Sequence, residues 1–143
     1  MKLKKFLKKQ GYHTIFLTTL PSGHHLLSAK LNGKKGTFIL DTGASTTCID
    51  EAKVSSFKIK SKDTDHKATG AGRNDINIRF SKKNKLKIGD WKIKKIPLVV
   101  MDLKHINEAL NIFEIEVDGI IGADVLHKGK GIIQYEKKLL FLK

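Results

Sequence analysis

The chain has 143 residues, a formal net charge of +14 and a single cysteine. This length suits one domain that buries a core without disulfides, and a lone cysteine excludes an internal disulfide scaffold, so we expect a reducing compartment. Among the 28 basic residues the arginines are Arg73 and Arg79, although arginine dominates specific nucleic-acid readout. We therefore interpret the charge as a lysine-rich solvated surface and expect no specific nucleic-acid partner, while a basic nucleic-acid binder stays open on charge alone.

The N-terminal segment is basic and only briefly apolar. No apolar run approaches the roughly 18 residues of a membrane helix, and the apolar stretch at residues 15–17 is far shorter than the about 7–15 residues of a signal-peptide core. We expect no transmembrane segment and a cytoplasmic location. Residues 1–11 either form a short amphipathic helix at a membrane surface or, as we expect, a basic and loosely ordered part of a single domain spanning 1–143. The apolar residues with helical spacing in this segment are Leu3, Phe6 and Leu7.

From Tyr12 onward the pattern predicts short β-strands rich in β-branched and aromatic residues. The Asn32-Gly33 pair is a signal for a tight hairpin turn. One helical turn is expected over Asp50–Ser55. The strands predicted in the first half of the chain are Tyr12–Leu20, His25–Leu31, Gly36–Leu40 and Phe57–Lys60.

The second half continues with strands and one longer helical window, Ile106–Phe113. The Gly89-Asp90 pair is predicted to be a two-residue hairpin turn whose flanking lysines face solvent. Many short strands without alternating helices predict an all-β barrel or sandwich. The predicted strands are Asp75–Phe80, Leu86–Ile88, Trp91–Ile93, Ile96–Met101, Ile132–Tyr135 and Leu139–Leu142, of which the last two should form a hairpin.

One acidic residue stands at the end of an apolar strand. The run Phe38-Ile39-Leu40 leads into Asp41-Thr42-Gly43, a small and turn-prone tripeptide. Such a turn can present a carboxylate in a groove and hold it with backbone N–H and hydroxyl donors. Asp41 could equally just cap a turn, as Asp often does. The tripeptide alone is therefore only moderately specific.

The order of the motifs resembles that of the retropepsin-like aspartic proteases, in their bacterial single-lobe type. The chain has DTGAS at Asp41–Ser45, then a polar segment containing glycines, and then Ile120-Ile121-Gly122. The resemblance implies an all-β fold, a closed acid-protease barrel with one or two short helices. It also implies that Asp41 is the catalytic acid and that the other site residues support the loop and cleft: Thr42, Gly43, Ala44, Ile120, Ile121 and Gly122. The flap of the family would fall at Gly70, Ala71 and Gly72.

A single carboxylate cannot run this chemistry. Hydrolysis without a metal needs one ionised acid to activate water and one protonated acid to polarise the carbonyl. No other Asp-Ser/Thr-Gly tripeptide occurs, so the second acid would be Asp41 of a second copy. We therefore predict a homodimeric aspartic endopeptidase, a hydrolase acting on peptide or protein substrates without a cofactor or metal. The alternative is a non-catalytic peptide-binding or dimerisation module with the same fold.

One position of the motif bears on the working pH, because pepsin-like relatives often carry a hydroxyl residue there, and two other positions depart from the retroviral pattern. Ala44 offers the carboxylate no hydroxyl donor, from which we expect activity at mildly acidic to near-neutral pH. Ser45 and Ala123 stand where retroviral members usually carry an acid and an arginine that brace the dimer, so the bracing must differ. Leu139–Leu142 could form the dimer interface, as terminal strands do in retroviral members, or could be an ordinary core strand.

Two further candidates carry less weight. His24 and His25 are adjacent on a strand and point to opposite faces, which is poor geometry for binding one metal ion. Cys48 would need a neighbouring base and an electropositive site to act as a nucleophile, and we expect it to be a small buried residue instead.

Overall fold

The computed structural model describes the backbone of residues 2–60, 62–70 and 73–143, and the side chains of these residues outside 62–77. Its described strands are β1 (His13–Phe16), β2 (Thr18–Thr19), β3 (His25–Leu31), β4 (Lys34–Leu40), β5 (Cys48–Asp50), β6 (Lys62–Gly70), β7 (Arg73–Ile88), β8 (Trp91–Met101), β9 (Gly119–Ile121), β10 (Ile132–Gln134) and β11 (Leu139–Leu142). Its described helices are α1 (Leu3–Lys9), α2 (Lys104–Leu110) and α3 (Ala123–Lys128), with 3-10 turns at Glu51–Lys53 and Asn111–Phe113.

Six of the described strands close a barrel. Hydrogen bonding runs through β3, β4, β9, β5, β8 and β7, and β7 returns to β3, where Leu31 pairs with Leu86. The two-residue hairpins help to set this order. Asn32 and Gly33 both have positive φ, at 51° and 85°, as a primed hairpin turn requires. The expected closed and mostly β barrel is confirmed, and the described residues form three short α-helices where one or two were expected.

Alternation along the strands explains why the barrel has an apolar interior. In β8 the side chains of Trp91, Ile93, Ile96, Leu98 and Val100 are buried, whereas the intervening lysines are exposed. The period of two holds on each side of Lys94-Lys95, where two consecutive exposed residues and a register shift against β7 move the pattern by one residue. On both sides of this irregularity one row of side chains lies in the core and the other in water. The expectation that the lysines around the Gly89-Asp90 turn face solvent is therefore correct.

A smaller sheet closes one end of the fold. It has the order β1-β11-β10, and β11 pairs with both of its neighbours. All four residues of β11 are buried in the single chain. Of the two alternatives for Leu139–Leu142, the structure supports the ordinary core strand, because both of its edges are already hydrogen-bonded.

Helix α1 lies within the segment 1–11, for which the sequence predicts loose order. Leu7 is 5% exposed and packs in one cluster with Leu139 and Phe141. The main-chain N–H of Tyr12 donates to the carbonyl of Leu7 at 3.0 Å, which secures the end of the helix. Among the described residues, no helix combines the length and the apolar character needed to cross a bilayer.

One predicted strand is wrong. Phe57–Lys60 forms turns, in which the N–H of Phe57 donates to the carbonyl of Lys53 and that of Ile59 to Val54. Phe57 is 3% exposed and its ring centroid lies 6.3 Å from that of Phe38. Phe57 therefore packs into the core from a turn. Tertiary packing here overrides the local preference for a strand.

Candidate active site

Strand β9 passes between the two strands that the DTG loop connects. It runs parallel to β4, with Ile120 beside Ile39, and antiparallel to β5, with Ile120 beside Cys48. The loop of residues 41–47 joins β4 to β5 around the end of β9. Because β4 and β9 are parallel neighbours, they end at the same edge of the sheet. Asp41, which follows β4, and Gly122, which follows β9, are therefore close together.

Two glycines permit this close crossing. A side chain at Gly119 would overlap the carbonyl oxygen of Cys48 and lie 2.9 Å from the ring of Phe38. A side chain at Gly122 would lie 2.7 Å from the carbonyl oxygen of Ala44. All three contacts are shorter than van der Waals separation allows. The glycine in Ile120-Ile121-Gly122 is thus required by the closeness of the DTG loop.

Asp41 is exposed, and its backbone is fixed. Its N–H donates to the carbonyl of Ile121 at 3.0 Å, and its own carbonyl accepts the N–H of Ala44 at 3.2 Å. The carboxylate oxygen Oδ1 accepts the N–H of Gly43 at 2.9 Å. A Cβ at position 43 would lie 3.2 Å from that oxygen. Gly43 therefore serves the close approach of backbone and carboxylate, and its backbone is not left-handed.

The remaining predicted loop residues surround this carboxylate. Thr42 and Gly43 are exposed, and Ala44 is half-buried. The carbonyl of Ala44 accepts the N–H of Ala123 at 2.7 Å, which ties the loop to the start of α3. Ile120 and Ile121 are buried beneath the loop. The structure thus brings Asp41, Thr42, Gly43, Ala44, Ile120, Ile121 and Gly122 together.

The residues predicted for the flap are only partly described. Gly70 ends β6 and pairs with Arg73 at the start of β7, so a hairpin occupies the position that the sequence predicts for the flap. Ala71 and Gly72 lie outside the described residues.

Sequence reasoning missed two residues that anchor the loop. The Asp124 carboxylate accepts the Thr47 N–H at 3.0 Å and the Thr47 hydroxyl at 2.8 Å. The hydroxyl oxygen of Thr47 in turn accepts the N–H of Gly122 at 3.0 Å. One sequence signal could have pointed to Asp124. It directly follows Ala123, where retroviral members usually carry the arginine that braces the dimer. This acid braces the loop within one chain.

A shallow groove opens beside Asp41. It has a volume of about 430 Å³ and an apolar wall that includes Ile39, Ile106 and Ile120. Helix α2 contributes Ile106 to this wall, while the segment 22–25 forms a polar rim. The groove therefore offers an apolar side chain a place directly next to the acid.

The histidines of the rim are held by hydroxyls. His24 Nδ1 shares a hydrogen bond with Ser22 at 2.7 Å, and His25 Nδ1 shares one with Thr19 at 2.9 Å. Within the described part of the chain, no group of three His, Cys, Asp or Glu side chains has the arrangement of a metal site.

Cys48 lies under the site and is 5% exposed. Burial raises the pKa of the Cys48 thiol from its ordinary value of 9.0 to about 12, and the nearby carboxylates add to the effect. A nucleophilic cysteine needs a lowered pKa and access to substrate. Cys48 therefore packs as a small apolar residue, as the sequence predicts.

Asp118 is a further acid close to β9, and its role is structural. Its Oδ2 accepts the N–H of Thr37 at 2.9 Å, while its own N–H donates to the carbonyl of Thr37 at 2.8 Å. Lys53 lies 3.7 Å from its other oxygen. These contacts fix β9 against β4.

Comparisons with known proteins agree with this geometry. The family model described as "Aspartyl protease" matches residues 27–125, whereas a comparison with curated proteins found no match. One similar solved structure is a retropepsin-like aspartic protease from Rickettsia conorii, with 23% identity, a TM-score of 0.63, and coverage of 92% of this chain and 90% of that chain.

Two further solved structures are similar to the chain. The EIAV protease in complex with an inhibitor has 20% identity and a TM-score of 0.55 over 77% of this chain and 91% of that chain. The retroviral protease-like domain of Ddi1 from Leishmania major has 12% identity and a TM-score of 0.58 over 92% and 90%. At these identities the likeness shows a retropepsin-like fold. Since the family model covers most of the sequence, the chain belongs to the aspartyl protease family.

Proposed function

We propose that the chain is an aspartic endopeptidase that works as a homodimer and cleaves peptide or protein substrates. The observation that carries this proposal is the exposed carboxylate of Asp41, held on a loop that β9 locks in place. A rigid loop keeps an acid in a productive position, and exposure leaves it free to meet a partner.

The chemistry requires a pair of Asp41 residues. Two carboxylates held close together share one proton, because both cannot be ionised cheaply. The ionised member would take a proton from water while the protonated member polarises the scissile carbonyl. Water then attacks the carbonyl carbon to give a tetrahedral intermediate. The intermediate collapses as the C–N bond breaks and the amide nitrogen takes a proton from the carboxyl pair, so the reaction needs no metal or cofactor.

The proposed dimer would form around the DTG loop. Residues 41, 42, 43 and 45 are exposed there, which leaves Thr42 available for contact with the loop of the partner. Strand β11 is already paired on both sides, so we do not propose the interface of terminal strands found in retroviral members. Ser45 and Ala123 cannot form the acid–arginine pair that braces retroviral dimers, which also supports an interface of a different kind.

The proposed substrate is an extended peptide with an apolar side chain next to the cleaved bond. Ile39, Ile106 and Ile120 form the apolar wall beside Asp41, and apolar walls favour apolar side chains. The main chain of the peptide would bind as a strand beneath the β6–β7 hairpin, with Gly70, Ala71 and Gly72 as the proposed flap. A cytoplasmic setting suits the single buried thiol, Cys48.

The first experiment compares Asp41→Asn with Asp90→Asn, a matched change at an exposed turn. We expect Asp41→Asn to abolish pepstatin-sensitive cleavage of a peptide library with folding unchanged, whereas Asp90→Asn keeps it. Cleavage that persists at the wild-type rate in Asp41→Asn contradicts the proposal.

A second experiment tests the dimer. Wild-type and Asp41→Asn chains are mixed in varied ratio at constant total concentration and allowed to exchange. If both acids are needed, activity follows the square of the wild-type fraction. A linear dependence means that one chain suffices, and it would refute the shared site.

The alternative function, a peptide-binding or dimerisation module without turnover, is favoured by one observation. The central position of β11 removes the interface that retroviral members use to bring the two acids together. Peptide binding by the wild type without any cleavage, with the same affinity in Asp41→Asn, supports the module. Sedimentation over a range of protein concentrations shows whether a dimer forms.

A further inference from the structure

A basic and apolar surface lies at the N-terminal end of the fold, remote in sequence from the DTG loop. We call it the N-terminal face and define it by its three exposed apolar residues and five lysines: Leu3, Phe6, Phe16, Lys2, Lys4, Lys5, Lys8 and Lys9. The first acidic residue of the chain is Asp41. The face therefore carries a locally uncompensated positive charge from its own segment.

The apolar residues of this face are held outward by a docked helix. The buried Leu7 anchors α1 on β11 through Leu139 and Phe141. Leu3 is 38% exposed and Phe6 is 45% exposed on the same helix. Leu3 lies one turn before Leu7 on the same side of the helix, and Phe6 is the neighbour of Leu7 in sequence, so both border the docked side and remain partly exposed.

Phe16 extends the face from the helix to the end of β1. It is 71% exposed, and the ammonium group of Lys4 lies 5.3 Å from the centroid of its ring. This contact joins the lysines of α1 to an exposed aromatic ring. Aromatic rings beside lysines suit the interface between lipid headgroups and acyl chains, because rings enter the apolar layer while ammonium groups stay among phosphates.

The charge distinguishes a lipid surface from other partners. Arg73 and Arg79, the arginines of the chain, lie in β7 and outside this face, whereas nucleic-acid readers favour arginine. Lysines clustered in a segment whose own sequence contains no acid are attracted to the negative cytoplasmic leaflet. We propose that the N-terminal face docks the protein on an anionic lipid surface, with Phe6 and Phe16 at the level of the headgroups. This inference does not depend on peptidase activity.

The test is co-sedimentation of the full chain with vesicles of phosphatidylcholine, with and without phosphatidylserine. We expect binding only to the vesicles that contain phosphatidylserine, and weaker binding as salt rises. The double variant Lys4→Glu/Lys5→Glu should lower binding at least about tenfold. Its matched control is Lys34→Glu/Lys35→Glu, which makes the same change of charge at exposed positions on β4 and should lower binding much less.

The apolar contribution is tested with Phe6→Ser/Phe16→Ser. We expect a clear loss of vesicle binding, with unchanged circular dichroism and thermal unfolding. Ile112→Ser is the matched control, because Ile112 is 79% exposed elsewhere on the protein.

Three results would overturn the inference. They are the absence of binding to anionic vesicles, equal losses in the two lysine pairs, and unchanged binding after removal of both phenylalanines. Binding to duplex DNA or RNA that the Lys4 and Lys5 changes abolish, without vesicle binding, would assign the face to nucleic acid instead.

Discussion

The carboxylate of Asp124 and the side chain and backbone of Thr47 form a connected set of hydrogen bonds beneath the DTG loop. Thr47 is 1% exposed, and it donates both its N–H and its hydroxyl to Asp124 at 3.0 and 2.8 Å. The two residues are 77 positions apart. They join the end of the loop to helix α3.

This pair predicts a graded effect of mutation. Asp124→Ala leaves the buried Thr47 N–H without its acceptor and should lower the free energy of unfolding by about 1–3 kcal/mol. Asp124→Asn keeps an oxygen acceptor and should lose less. Urea unfolding of both variants measures the difference, with Asp90→Ala as a surface control. Equal and negligible losses in the two Asp124 variants would show that the pair does not anchor the loop.

A second prediction concerns Gly119, the glycine at which β9 pairs closely with β5. Gly119→Ala should prevent folding or lower the free energy of unfolding by more than about 2 kcal/mol, because the added methyl group meets backbone and a packed ring. Gly23→Ala is the comparison. Nothing lies within 4 Å of a Cβ there, but φ is +90°, so only backbone strain of about 1–2 kcal/mol is expected. Thermal unfolding compares the loss of stability in the two variants. A smaller loss in Gly119→Ala than in Gly23→Ala would contradict the close packing of β9 against β5.

The raised pKa of the Cys48 thiol, about 12, predicts a loss of stability in alkali. The folded protein holds the thiol proton up to about this pH, whereas the unfolded chain releases it near pH 9. Raising the pH through this window therefore favours the unfolded chain, by up to about 1.4 kcal/mol per pH unit.

Comparison with Cys48→Ala isolates this effect, because the lysines titrate in both proteins. The difference in unfolding free energy between wild type and variant should be constant below pH 9 and fall above it. A parallel pH dependence in the two proteins would argue against a buried, protonated thiol. Slow labelling of native Cys48 by a thiol reagent at pH 8 is the companion measurement.

A fourth prediction concerns the apolar wall of the groove. Ile106→Ala enlarges the space beside Asp41 and should raise the ratio of kcat/KM for a large apolar side chain over a small one by about tenfold. Ile112→Ala, on the exposed 3-10 turn that follows α2, is the control and should leave this ratio unchanged. Identical side-chain preferences in Ile106→Ala and wild type would place the substrate elsewhere.

The strand pattern predicted an all-β barrel or sandwich, and the resemblance carried by the order of the motifs selected the closed barrel that the structure has. The same resemblance supplied the residues of the candidate site, whose roles stay predictions. Some signals are local and can be read without coordinates. They are the alternation of Trp91 and Ile93 with lysines, the apolar run Ile96–Met101, and the hairpin pairs at Asn32-Gly33 and Gly89-Asp90. The same holds for the apolar approach to Asp41. Phe57 shows where local signals are insufficient. A buried apolar residue in a short segment is equally compatible with a strand and with a turn that packs on the core.

By itself, the sequence determined that an acid in a small-residue loop follows an apolar strand, and that a glycine-ended aliphatic strand comes later. Only the tertiary structure decided that Thr47 and Asp124 meet, that β11 lies in the middle of its sheet, and that α1 is docked through Leu7. The physical reason is that these contacts join residues far apart in the chain. Their formation depends on strand order and on burial, which local periodicity does not encode.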